Sequence, residues 1–156
     1  MQKALSSYIC HLSAQRLPHL VGIVPTESKA TDQLAAQWKE FAGDLAVISY
    51  DDEHALRFMT SMHKLGLEAP ESYLIVGHND TEASRFSDPP LSTLCQDFEY
   101  IGRWLLKNAM ALSRGAVDQD EGSMPQKLIV RGTCGGRGRI TEELQKELPE
   151  LQFVEE

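Results

Sequence analysis

Asp51-Asp52-Glu53-His54 sets three carboxylates and an imidazole in four consecutive residues, directly after the apolar run DLAVISY (44–50). Clustered anionic oxygens suit a hard cation or a phosphoryl acceptor, so one reading is a metal or phosphoacceptor site at a strand end. A plainer one is that an aspartate caps a helix while its acidic neighbours favour the positive end of the dipole. No second carboxylate cluster or suitably placed lysine accompanies the run, which leaves a catalytic set incomplete. The five histidines, at 11, 19, 54, 63 and 78, show no metal-binding spacing such as HExxH. GTCGGRGRIT (132–141) is glycine-rich between a strand and a helix but fits neither GxGxxG nor GxxxxGK. Cys10, Cys95 and Cys134 include no CxxC pair. The expectation is no metal, no cofactor and no enzyme. A small hydrolase or phosphoacceptor protein using Asp51, Asp52 and His54 on a flavodoxin-like sheet is the alternative.

A second candidate stretch, GHNDTEASRFSDPPLSTLCQDF (77–98), follows the apolar run Tyr73-Leu74-Ile75-Val76. Connections in compact domains usually need about 4 to 6 residues, so a largely polar stretch of some twenty residues here calls for a purpose. The prolines at 89 and 90 predict an extended path, because each ring locks φ and a residue before proline is pushed from the helical region.

These residues need elements to position them. Ala4, Leu5, Tyr8, Ile9 and Leu12 recur at helical spacing over 3–15, and HLVGIV (19–24) is a strand pattern after Pro18. A helix over 26–42 presents Leu34, Trp38 and Phe41, and Gly43 supplies its stop. After strand 44–50, Asp51 or Asp52 caps a helix that buries Ala55, Met59, Met62 and Leu65 and ends at Gly66. A strand over 72–76 precedes the polar stretch. The next helix, 97–113, is expected to turn Phe98, Ile101, Leu105, Ala109 and Leu112 inward. A loop over 116–124, a strand at 126–132 and a helix at 141–148 complete the chain. Strands alternating with long helices predict an α/β fold, three αβα layers around a mainly parallel sheet. Ligands of such sheets sit beyond the carboxyl ends of the strands, here Pro25-Thr26, Tyr50-Asp51-Asp52, Gly77 to Asp80 and Gly132-Thr133.

The 156 residues suit one domain with a real core. A formal charge of −8 argues against nonspecific adhesion to nucleic acid and against an anionic membrane as partner. No signal peptide and no run near the ~20 apolar residues of a membrane span is evident, so a cytoplasmic protein is expected.

Residues AVISYDDEHAL (46–56), the run from Gly66 through Pro-Pro-Leu-Ser-Thr (89–93) to Gly115, and QKLIVRGT (126–133) resemble the C-terminal lobe of the lactose-repressor (LacI/GalR) family. That family's pattern runs strand, Asn/Asp-Asp, helix, strand, Gly-Tyr-Asp-Asp, Pro-Pro-Leu-Thr-Thr, helix, Leu-x-x-Arg. The resemblance implies a periplasmic-binding-protein-like (type I) C-terminal lobe spanning 1–156, with 133–156 as an extension. The DNA-binding head and most of the N-terminal lobe then lie outside this sequence. It also implies sensing of a small effector, a sugar or related metabolite. Operator DNA would be contacted only through the head, and the regulator would be a homodimer. Carried over by motif, Asp51 and Asn79 bond effector hydroxyls, and Gln96 and Phe98 close the site, the aromatic covering an apolar face of the ligand. Three positions depart from the pattern: Asn79 stands for an aspartate, His78 for an aromatic, and Gln2 for the arginine expected at the start of the first helix. Leu56, Phe58 and Met59 lie on the helix resembling the family's dimer contact, although apolar residues at helical spacing also simply fill a core. A solute-binding protein lobe is the remaining alternative.

Overall fold

The computed structural model describes residues 28–115, 126–136, 146 and 151–155. The first helix and strand expected from sequence, 3–15 and 19–24, lie outside these residues. So do the loop at 116–124 and, apart from helical Lys146, the helix at 141–148.

Helix α1 (Ser28–Trp38) continues as a 3-10 turn, Lys39–Phe41, and leads to β1 (Leu45–Ile48). Thr31 and Ala35 are buried on α1, with Leu34 and Trp38 half-buried beside them. This i, i+3, i+4, i+7 stripe is the face an amphipathic helix turns to a core. Helix α2 (Asp52–His63) buries Ala55, Phe58, Met59 and Met62 on the matching stripe. Gly66, at φ +77, takes the left-handed turn that ends α2, and its N–H donates to the His63 carbonyl. Leu65, expected inside, is 41% exposed, because the helix has already ended two residues earlier.

β2 (Tyr73–His78) pairs parallel with β1. The short helix α3 (Glu82–Phe86) precedes β3 (Ser92–Gln96), which pairs parallel with β2. Helix α4 (Phe98–Ser113) leads to β4 (Gln126–Val130), which pairs antiparallel with β3 and parallel with β5 (Leu151–Glu155). The sheet order is β1-β2-β3-β4-β5. One core cluster fills the space between α1, α2 and the sheet, with Ile75, Leu91 and Met62 fully buried. Phe58 stands edge-on to both Trp38 and Tyr73, at centroid distances of 5.8 and 5.9 Å. Burial pushes the Tyr73 phenol's pKa up.

Two expectations change. The segment after the prolines is not an open extended path: Ser92–Gln96 form a central strand, bonded on both sides. Helix α4 is turned differently from the expected face, with Ile101, Trp104, Asn108 and Ala111 half-buried while Phe98, Leu105 and Leu112 are exposed. The physical reason is that apolar residues cover more than half its circumference, so periodicity alone fits either stripe.

Candidate functional site

Because β1, β2 and β3 are parallel, their carboxyl ends share one edge of the sheet. Asp51 follows β1, Asn79 follows β2, Gln96 closes β3 and Phe98 begins α4. The structure therefore brings all four sequence-predicted residues to one edge, on three neighbouring strands.

Asp51 caps α2 with extended backbone, its Oδ1 accepting the His54 backbone N–H at 2.8 Å. The same oxygen meets His54 Nδ1 at 2.7 Å. Burial opposes its ionisation, but hydrogen bonds from the His54 backbone and ring prevail, and the carboxyl lies below the usual carboxylate range. Helix capping and a place on the candidate edge thus coincide in one residue. Gln96 sits beside His78, its Nε2 3.1 Å from the ring Nε2. Phe98 is 62% exposed at the same edge.

Asn79 and Asp80 both hold positive φ, 104° and 51°. Such values are uncommon outside glycine, although Asn and Asp are among the residues that tolerate them. The Asn79 N–H donates to the Leu94 carbonyl at 2.8 Å. Neither residue caps α3: Thr81 is the N-cap, without a side-chain cap bond. Asp80 instead takes Arg131 Nη2 on Oδ1 at 2.7 Å and Arg85 Nη2 on Oδ2 at 2.5 Å. Burial works against this carboxylate too, but the two guanidinium groups hold its pKa below the usual range.

Beneath the edge lies a polar layer that sequence reasoning missed. Asp52 is fully buried. Its Oδ1 accepts the Thr93 hydroxyl at 2.6 Å, and its Oδ2 accepts the Thr81 N–H at 2.7 Å and hydroxyl at 3.0 Å. Arg131, 3% exposed, also donates to the Leu91 carbonyl at 3.1 Å, and its backbone N–H donates to Ser92 Oγ at 2.9 Å. The available signal was a charged residue closing the apolar run Leu128-Ile129-Val130, since a buried charge demands a partner. Among the described residues, no group of three His, Cys, Asp or Glu side chains could hold a metal ion.

Two further expectations need correction. Gly132-Thr133 does not join the candidate edge, because β4 runs antiparallel to β3 and ends at the opposite side. Thr133 is instead built into the sheet, its hydroxyl donating to the Ile75 carbonyl at 2.7 Å and accepting the Ser92 N–H at 2.9 Å. Of the three expected dimer contacts, Phe58 and Met59 are 5% and 8% exposed and belong to the core. Leu56 alone reaches a shallow groove of about 440 Å³, lined also by Glu53, Arg57, Thr60, Thr81 and Ala83.

The sequence matches the periplasmic binding protein-like domain over residues 3–134. This chain belongs to that family, in its lactose-repressor (LacI/GalR) group. The lactose operon repressor of Klebsiella pneumoniae is 26% identical over 111 residues, 71% of this chain and 31% of that repressor. Among solved structures, a lac repressor dimer bound to operator and the anti-inducer ONPF superposes with a TM-score of 0.70 at 24% identity, covering 83% of this chain and 46% of that one. A LacI-family regulator from Arthrobacter sp. FB24 in complex with lactose gives a TM-score of 0.67 at 19% identity, covering 80% and 48%. The LacI/GalR chain described here therefore spans about a third of the curated repressor it matches and about half of each solved one. Its mostly parallel, helix-flanked sheet is the periplasmic-binding-protein-like fold.

Proposed function

We propose that this chain is the C-terminal effector-binding lobe of a LacI/GalR-type transcriptional regulator, acting by binding rather than catalysis. Its effector is a sugar or a related metabolite, held against the strand ends by Asp51, Asn79, Gln96 and Phe98. The observation that carries the reading is the gathering of those four residues on one edge, at the ends of three adjacent parallel strands. The chemistry suits a sugar. Hydroxyls come in neighbouring pairs that carboxylate and amide groups can bond two at a time, and an exposed aromatic covers the C–H face. In the full regulator a second lobe closes the cleft, operator DNA is contacted by a separate head, and two copies associate.

The test is a nuclear magnetic resonance titration of this chain with lactose, ribose and a nucleoside, each to tens of millimolar. Shifts concentrated at Asp51, Asn79, Gln96 and Phe98 for one ligand, lost in Asn79→Ala, are the expected result. Shifts scattered over other surfaces, or none with any ligand, would defeat the proposal.

A further inference from the structure

We infer that Arg131 is a positioning residue for effector binding: from just beyond the end of β4, on the side of the sheet opposite the binding edge, it locks the Asn79-Asp80 turn that presents Asn79. This inference rests on the effector-binding reading above and adds a residue to it. The turn is the unusual feature. Two consecutive residues other than glycine sit at positive φ, and conformations of this kind persist only where the surroundings over-determine them. The determinants can be named. The Asn79 N–H is tied to the Leu94 carbonyl and the Asp80 N–H to Thr93 Oγ1 at 3.3 Å. The Asp80 carboxylate, with its side chain 8% exposed, is gripped from inside by Arg131 and from outside by Arg85.

The two arginines are not equivalent. Arg85 is half-exposed on α3, five residues along the chain from Asp80, and moves with the same loop. Arg131 is buried, comes from 51 residues away, and is anchored to β3 through the Leu91 carbonyl and through Ser92. Its guanidinium spans the gap, with Nη1 on the Leu91 carbonyl just before β3 at 3.1 Å and on Ser84 Oγ of α3 at 3.4 Å, and Nη2 on Asp80. It therefore references the turn to the sheet. A lysine has one nitrogen on a flexible stem and cannot hold both acceptors in a fixed fork. What Arg131 fixes is the direction from which the Asn79 carboxamide approaches a ligand. Preorganisation of this kind changes affinity without any contact to the ligand.

The experiment compares the wild-type chain with Arg131→Lys, Arg131→Met and Arg85→Met. One-bond Cα–Hα couplings at Asn79 and Asp80 distinguish positive from negative φ, and the lactose titration runs in parallel. Arg131→Lys should keep the fold but lose the positive-φ signature at Asn79, with lactose affinity about tenfold weaker. Arg85→Met should retain both. Should Arg131→Met fail to fold, Arg131→Lys gives the same readout with smaller disturbance. An unchanged coupling at Asn79 in folded Arg131→Lys overturns the inference, as does an equal loss in Arg85→Met. If the couplings change as expected but wild type shifts with no ligand, the locking of the turn stands and the effector reading fails.

Discussion

Gly77 shows how closely the site is built onto the sheet. A Cβ added there would lie 2.2 Å from Asp52 Oδ1 and 3.0 Å from Leu91 Cδ2. The aspartate cannot retreat freely, because that oxygen already accepts the Thr93 hydroxyl. Gly77 is thus required by the approach of the α2 N-terminus to β2, not by its own backbone angles. Overpacking a filled site costs about 1–3 kcal/mol, and loss of the Thr93–Asp52 bond adds to it. Gly77→Ala should therefore lower the urea midpoint clearly. Gly102→Ala is the control: nothing lies within 4 Å of its added Cβ in mid-α4, so it should stabilise by about 0.5–1 kcal/mol. Equal effects of the two substitutions would refute this account of Gly77.

Among the elements, α2 was legible in the sequence because its signals are local. Asp51 caps it, its apolar stripe has helical spacing, and Gly66 ends it. Strand β3 was not legible. Its two fully buried residues, Ser92 and Thr93, are polar and point to opposite faces of the sheet, so no hydrophobic pattern marks them. Their partners Thr133, Arg131 and Asp52 stand 39 to 41 residues away in the chain. Distance along the chain also hid Asp80, whose buried partner Arg131 lies 51 residues further on. This long-range layer makes an acid-stability prediction. Asp80 and Asp51 both have folded pKa values below the usual range. A depressed carboxyl contributes stability that is fully present above its unfolded value, about 3.9, and is lost as pH falls through the folded value, because the unfolded chain binds protons first. Stability should hold from about pH 7 to 5 and decline below about pH 4. Asp80→Asn leaves the buried Arg131 without its carboxylate, so at pH 7 it should cost on the order of 3 kcal/mol. It should also flatten the acid decline measured by urea unfolding at each pH. An acid slope identical to wild type would contradict the assignment of that decline to Asp80.

Over the whole molecule, the strand-end edge and the groove between α2 and α3 are two separate surfaces served by one helix. Asp51 at the start of α2 faces the first, and Leu56 one turn further on reaches the second. If the edge holds an effector and the groove pairs subunits, as proposed, a single helix touches both surfaces. A two-fold interface is self-complementary, the same patch meeting itself, and the groove carries the requisite mixture. Leu56 and Ala83 are apolar, while Glu53 and Arg57 supply both signs of charge on adjacent turns, paired at 2.5 Å. If this patch is the homodimer contact, a carboxylate at its apolar centre has to be desolvated twice, once in each copy. Unpaired buried charge is costly enough to dissociate a modest interface. Leu56→Glu should then convert a concentration-dependent dimer to monomer in sedimentation velocity while leaving the circular dichroism spectrum unchanged, because Leu56 is only partly buried against the core. Phe58→Leu, a change inside the core, should lower thermal stability without shifting the association constant. A dimer that survives Leu56→Glu, or a wild-type chain that stays monomeric at every concentration, would place subunit pairing elsewhere.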